Sequence, residues 1–152
     1  MHRYWHSFFC ALVLASCATP PESETKPMGE NVLSPAAIHA ARSGPVDFSA
    51  HVKPVLEAKC VMCHNRKALP GHISLENRRE ALRTKALGTV IAPGHPETSL
   101  LLANVKTVHQ KVSVMPAVGE RLTKDEYVIL AKWVKEGAHW PEGKAGQLKI
   151  IR

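Results

Sequence analysis

The sequence predicts an all-α fold of three to five short helices, and three observations carry this prediction. Apolar residues recur at helical spacing over residues 48–56, as on the buried face of a helix. Thr123 and Glu126 precede an apolar run at the spacing of a helix-capping box. The strand signals, at residues 89–91 and 111–114, are short. We therefore expect helices to form the core.

Three helices are predicted ahead of the capping box. The first begins near Val46 and leads into a cysteine motif. Because proline removes a backbone hydrogen bond, Pro54 predicts that this helix starts late or kinks there. The second helix spans residues 75–85 with Ser74 as its N-cap. The third covers residues 99–105, whose apolar run indicates burial.

The last helix has the clearest boundaries. It starts at the capping box, with Leu122 and Tyr127 at the hydrophobic-staple positions, and Gly137 provides its stop. Its predicted inward stripe is Tyr127, Leu130, Ala131 and Val134.

Composition indicates one basic globular domain. The chain of 152 residues is 45% apolar and 22% charged, and it carries a formal charge of +7. Its lysines and arginines are scattered and accompany no nucleic-acid-binding motif, so we expect no nucleic-acid partner. The positive charge favours acidic protein partners or anionic lipid.

The amino terminus predicts export. Residues 1–16 form a short signal peptide with a charged start and an apolar run too short to span a bilayer. The stretch from Leu14 to Cys17 resembles the lipobox of bacterial lipoproteins, which implies that Cys17 is acylated and becomes the mature amino terminus. The alternative is an ordinary secretory signal cleaved within residues 19–22, with Cys17 present by chance.

Proline content sets the predicted domain boundaries. Residues 17–45 are rich in proline and polar residues and are predicted to form a lipid-anchored flexible tether. A short helix over residues 34–42 is possible within it, with Ser34 as its cap. The folded domain then covers residues 46–141, and residues 142–152 form a C-terminal tail.

The chemistry-bearing motif is Cys60, Cys63 and His64. Two thiols separated by two residues and followed at once by an imidazole suit covalent attachment of haem c, with the histidine reaching the iron. The alternatives are a zinc site and a thioredoxin-like dithiol. Zinc needs further ligands at close spacing, and a redox dithiol should follow a strand, whereas a helix is predicted here.

The second axial ligand should come from a segment well downstream of His64. Met115 is the first candidate, because Pro116 biases it towards extended backbone on a loop. His109, on the same loop, is the alternative ligand. His95 is predicted to be a turn residue, and His51 an exposed or partly packed side chain.

Residues from about Val46 to Pro141 resemble the planctomycete-type single-haem cytochrome c family. The resemblance implies an all-α cytochrome c-like fold around one covalently bound haem with His64 and Met115 as iron ligands. Departures occur at His72, where the family usually has a glycine, and at Ala117. The matching stretches are Val52–Leu56, Cys60–His64, Gly71, Leu75, Pro93–Leu101, Val114–Pro116, Leu122–Thr123 and Trp133–Pro141.

These inferences favour electron transfer over enzyme activity, because two axial ligands leave no vacant position on the iron. Lys53, Lys59 and Lys67 could form a face that docks acidic redox partners. The alternatives are a haem enzyme or ligand-binding sensor with a labile distal site, and a docking module whose haem is structural. The lipobox implies a place on the periplasmic face of a bacterial membrane, and Ala18 after Cys17 favours the outer membrane.

Overall fold

The computed structural model describes residues 29–68, 72–85, 88–106, 115–117 and 121–151. Over these ranges the fold is helical with almost no strand, as the sequence predicts. One π-helical turn and one two-stranded hairpin accompany the α-helices. The elements are α1 (Pro35–Ser43), the π-helical turn (Phe48–Val52), α2 (Lys53–Lys59), α3 (Arg78–Ala81), β1 (Thr84–Lys85), β2 (Gly88–Thr89), α4 (Leu100–Val105) and α5 (Lys124–Lys135).

The helix that leads into the cysteine motif starts late, as Pro54 predicts. The chain first makes the π-helical turn Phe48–Val52, capped by the Asp47 side chain, which accepts a hydrogen bond from the Ala50 backbone. The α-helical part begins at Lys53 and places Pro54 in its first turn. A proline is tolerated there because first-turn amides have no partner within the helix.

The second predicted helix is wrong in length and in cap. Only Arg78–Ala81 is helical, and Asn77 is its N-cap. Ser74 lies three residues before this cap, and its hydroxyl donates to the Glu76 carboxylate at 3.2 Å and accepts from the Glu76 amide at 3.4 Å. The end of the predicted span turns into the antiparallel pair β1–β2, in which Thr84 pairs with Thr89.

The later helices form where predicted. Ser99 is the N-cap residue of α4, and α5 has the complete capping box of Thr123 and Glu126. The predicted stripe of α5 needs correction, because Ile129 and Trp133 are fully buried whereas Tyr127 and Ala131 are only partly so. Helix α5 buries residues on both sides of the predicted stripe because it packs against several elements. The buried residues of α5 are Glu126, Ile129, Leu130, Trp133 and Val134.

Part of the predicted tether is folded. Helix α1 buries Ala41 completely, and Lys132 of α5 donates to the backbone oxygens of Ala41 and Gly44 at 2.9 and 2.6 Å. An ammonium group there satisfies carbonyls at the C-terminal end of α1, which have no helical partner. The packed unit therefore begins before Val46, and residues 17–28 lie outside the described residues.

The predicted C-terminal tail is also packed. The Trp140 indole donates to the Gly146 backbone oxygen at 2.7 Å, and Leu148 is buried. A Cβ at Gly146 would collide with the Pro141 carbonyl oxygen, so this turn needs glycine. The Leu148 amide donates to the Glu76 oxygen at 2.8 Å. The tail thus closes over the domain rather than leaving it.

An aromatic cluster joins the π-helical turn to α5 and to the segment that follows α5. The ring centroids of Phe48 and Trp140 lie 4.6 Å apart, and that of Trp133 lies within 6.1 Å of both. These spacings are typical of favourable aromatic pairs. In the part of the chain that the structure describes, no helix is both long and apolar enough to cross a bilayer.

Candidate cofactor site

The cysteine motif forms a tight turn at the end of α2. The amides of Cys63 and His64 both donate to the Cys60 oxygen, at 3.2 and 2.9 Å. Val61, inside the turn, is fully buried and anchors it in the core. The turn therefore brings the two thiols and the imidazole together at one place.

The two thiols have different surroundings. Both are free, with Cys63 exposed and Cys60 partly buried. Burial raises the pKa of the Cys60 thiol from 9.0 to about 12, and the nearby Glu126 carboxylate adds to that shift. Cys60 is therefore a neutral thiol at ordinary pH.

His64 has a ring nitrogen without a hydrogen-bond partner. Its Nδ1 atom is buried and makes no hydrogen bond in the described structure. Burial lowers the pKa of His64, and the interaction with the Ile73 backbone partly opposes that shift. The Leu75 amide donates to the His64 oxygen at 2.9 Å and fixes the backbone. The neutral imidazole that results suits iron binding.

Asn65 organises the chain after the motif, and the sequence analysis did not identify it. Its side-chain amide is buried and donates to the oxygens of Val61 and Met62 at 2.9 and 2.8 Å. Its Oδ1 atom accepts from the Lys67 amide at 2.9 Å. An Asn directly after the motif is the only sequence signal for this role, because asparagine side chains commonly bond to nearby backbone.

A cavity of about 740 Å³ adjoins the motif. Cys60, Cys63 and His64 line one part of it, and Met115 lines another. The Met115 amide donates to the Asn104 oxygen of α4 at 2.9 Å, which holds the methionine backbone at the cavity. Most of the remaining lining is apolar: Ile73, Leu75, Val90, Leu100, Leu101, Val105 and Leu122.

The residues present fit a haem group. The motif supplies two free thiols and an imidazole whose Nδ1 has no hydrogen-bond partner in the described structure. The cavity is large, mostly apolar and within the range of ligand sites. A methionine thioether at the same cavity completes a donor set typical of cytochromes c.

A buried ion pair lies directly before Cys60. Lys59 Nζ is 3.0 Å from Glu126 Oε2, and the two side chains are 8% and 0% exposed. Lys59 therefore cannot belong to the docking face predicted from sequence. Lys53 is similarly engaged, since it donates to the oxygens of Ala145 and Gln147 at 3.2 and 2.9 Å. Lys67 is exposed.

Neither His95 nor His51 lines the cavity. His95 is exposed in a turn, as predicted, and pairs with Glu97 at 3.2 Å. His51 is buried, and its Nδ1 atom accepts a hydrogen bond from the Asp47 amide at 3.0 Å. His109 and Cys17 lie outside the described residues, so their predicted roles stay predictions.

The alternative roles of the motif lack their structural context. Among the described residues, no group of three or more His, Cys, Asp or Glu side chains could hold a metal ion. Helix α2 precedes the motif, whereas a thioredoxin-like dithiol follows a strand. A second cleft, of about 620 Å³ between Arg78 and Lys144, includes neither cysteine of the motif.

The comparison with known families agrees with this geometry. Residues 60–117 match the family model described as Planctomycete cytochrome C. The match covers less than half of the chain, but it contains the cysteine motif, the β-hairpin, α4 and Met115. No curated protein and no solved structure matches the chain. The stretch that carries the cysteine motif and Met115 is therefore similar to the planctomycete-type cytochrome c family.

Proposed function

We propose that this protein is an electron carrier with one haem c, attached through Cys60 and Cys63 and ligated by His64 and Met115. The observation that carries the proposal is the single apolar cavity that His64 and Met115 both line. The match of residues 60–117 to a cytochrome c family supports a haem-binding, electron-transfer role over enzyme activity.

Each residue has a distinct task in this proposal. Cys60 and Cys63 would hold the haem covalently through thioether bonds to its two vinyl groups. His64 and Met115 would be its iron ligands, through a ring nitrogen and a thioether. The bound haem supplies a one-electron couple whose potential is raised by thioether ligation. Apolar lining residues exclude water from the site.

The optical spectrum of the haem-loaded protein tests the proposal. We expect a far-red methionine-to-iron charge-transfer band in the oxidised protein and no change in the reduced spectrum when carbon monoxide is added. Met115→Ala should abolish the band and admit carbon monoxide. Met62→Leu is the matched control, because Met62 lines the same cavity but is 57% exposed. Carbon monoxide binding to the unmodified protein would instead favour the haem enzyme or sensor.

The positive charge of the chain supports docking to acidic redox partners. The formal charge is +7, so encounters with negatively charged partners should be fast and should slow with ionic strength. The test compares reduction by a small anionic and a small cationic reagent over a range of salt concentrations. The rate of reduction by the anionic reagent should fall as the salt concentration increases. Lys67→Glu should also lower that rate at a given salt concentration. Equal salt dependence for the two reagents would contradict this proposal.

We further propose that Cys17 carries lipid and holds the protein at the periplasmic face of a bacterial membrane, the outer membrane being favoured. The resemblance of residues 14–17 to a lipobox supports this. Cells expressing the full chain should incorporate labelled palmitate into it and retain it in the membrane fraction. Cys17→Ser should lose both label and retention. An unlabelled wild-type protein in the soluble fraction would favour cleavage within residues 19–22.

A further inference from the structure

A segment outside the family match forms part of the candidate haem pocket. Glu30, Asn31 and Val32 line the same cavity as His64. Leu33, the next residue, is buried in the core. We name residues 29–33 the N-terminal strap, and the sequence analysis assigned these residues to a flexible tether.

The strap is fixed by hydrogen bonds along its length. The Gly29 amide donates to the Arg121 oxygen at 3.2 Å, and the Val32 amide donates to Glu126 Oε1 at 2.8 Å. The Asn31 Oδ1 atom accepts a hydrogen bond from the Thr123 hydroxyl. These three hydrogen bonds hold the strap against residues 121–126, which follow Met115 in the chain.

Glu126 is the centre of these contacts. Its Oε2 atom accepts from the Thr123 amide at 2.8 Å and from Lys59 Nζ at 3.0 Å, whereas its Oε1 atom accepts from the strap at Val32. A helix-capping box needs only the first of these bonds. The others join the strap to Lys59, which directly precedes the attachment cysteine and also donates to the Glu30 oxygen at 2.9 Å.

We propose that the N-terminal strap is a wall of the haem pocket, and that Glu126 is a positioning residue that holds it shut against external ligands. The proposal rests on the proposed haem function and deepens it. Glu126 does not touch the iron ligands in this scheme. It acts through the strap and Lys59, and it thereby limits the access of small molecules to the position that Met115 occupies.

The rate at which imidazole binds to the oxidised, haem-loaded full chain tests the strap. Glu126→Gln removes the charge that Lys59 pairs with and leaves one side-chain oxygen for three donors. The hydrogen bonds to the Glu126 carboxylate hold the strap closed, so their loss should make it open more often. We therefore expect imidazole to bind at least about tenfold faster. Asp125→Asn is the matched control. It lies beside Glu126 but pairs with the exposed Arg42 at 2.7 Å, so its rate should equal that of the wild type.

A second set of variants separates strap opening from general loss of stability. Asn31→Ala removes one strap contact without leaving a buried charge unpaired, and about a threefold faster rate is expected for one neutral hydrogen bond. Leu148→Ala destabilises the core away from the cavity and should not change the rate. If Glu126→Gln loads haem and binds imidazole at the wild-type rate, the proposal is wrong. If it does not fold, an unchanged rate in Asn31→Ala has the same meaning.

The strap and the electron-carrier proposal fail in different ways. A wild-type protein without the far-red band that binds carbon monoxide contradicts methionine ligation. The difference in imidazole rate between Glu126→Gln and wild type would still report on the strap in that protein. Conversely, an intact band with identical imidazole rates in all variants contradicts the strap alone.

Discussion

The two thiols of one motif should differ in reactivity, because Cys60 is partly buried and Cys63 is exposed. Cys60 has a pKa of about 12 instead of 9.0, so its thiolate fraction at pH 8 is about a thousandfold lower. Each thiolate is about thirtyfold more reactive, because intrinsic nucleophilicity rises with pKa. Alkylation of the haem-free folded protein at pH 8 should therefore be about thirtyfold slower at Cys60 than at an ordinary thiol. Mass spectrometry of the two modified peptides measures this.

The pH dependence of the alkylation rate tests the direction of the pKa shift at Cys60. Since the thiolate is the reactive form, modification of Cys60 should keep accelerating between pH 9 and about 12. Denaturant is the control, because unfolding should give Cys60 the rate and the pH profile of an ordinary thiol. Equal rates at the two cysteines before denaturation would contradict the burial of Cys60.

His72 carries backbone strain that glycine would relieve. Its φ is 57°, in the left-handed region, and its side chain is exposed. The family resemblance identifies this position as one that usually holds glycine. We predict that His72→Gly raises the free energy of unfolding by about 0.5 kcal/mol. This is the difference between the relief of left-handed backbone strain, which stabilises the fold, and the greater entropy of glycine in the unfolded chain, which destabilises it. His72→Val should lower it by about 1 kcal/mol, and urea denaturation of the holoprotein measures both. A loss of stability in His72→Gly would show that the imidazole itself contributes.

At the scale of elements, the N-caps of α1 and α5 use the same chemistry in different surroundings. Ser34 accepts from the Ala37 amide at 3.2 Å on an exposed surface. Thr123 accepts from the Glu126 amide at 3.2 Å, but it is buried and also donates to Asn31. The second cap thus supports the strap as well as its own helix.

The two caps should consequently differ in their effect on stability. Ser34→Ala should cost about 0.5–1 kcal/mol, the usual value for an exposed cap. Thr123→Ala should cost about 2 kcal/mol, because it leaves a buried amide and the Asn31 oxygen unpaired. Chemical denaturation of both variants gives the comparison. Equal costs would mean that water replaces the Thr123 contacts.

The whole molecule is larger than the stretch that matches the family. Segments on both sides of residues 60–117 belong to the same packed unit. Helix α1 contacts the π-helical turn and α5, the strap lines the cavity, and the tail donates a hydrogen bond to the Glu76 oxygen. The tail contributes the buried Leu148 and the oxygen of Gly146 that accepts from Trp140. The aromatic cluster therefore depends on chain that the sequence boundaries leave outside the domain.

Truncation after Pro141 should destabilise the haem-loaded protein by about 3 kcal/mol. Burial of one leucine accounts for about 2 kcal/mol and the lost indole hydrogen bond for about 1 kcal/mol. Truncation after Lys149 is the control, because it removes the exposed Ile150 and Ile151 and leaves Leu148 in place. Thermal unfolding distinguishes the two, and equal melting temperatures would contradict a structural role for the tail.

Local patterns predicted the features that depend on neighbours in the chain. The cysteine motif, the capping box of α5 and the late start at Pro54 each depend on residues a few positions apart. Such signals act within one or two turns of backbone, so they can be identified without knowledge of the fold. The second helix is shorter than predicted, because Asn77 rather than Ser74 caps it and the chain after Ala81 enters the antiparallel pair β1–β2.

The sequence by itself thus determined the helical class, and it indicated the cysteine motif and Met115 as the candidate haem-binding residues. Only the tertiary structure decided that Lys59 faces Glu126 instead of a redox partner. It also decided that Glu30, Asn31 and Val32 border the cavity and that Leu148 is buried in the core. The physical reason is that a charged or proline-rich stretch has no local signal for burial. Its place depends on partners brought from distant parts of the chain, whose pairing offsets the cost of leaving water.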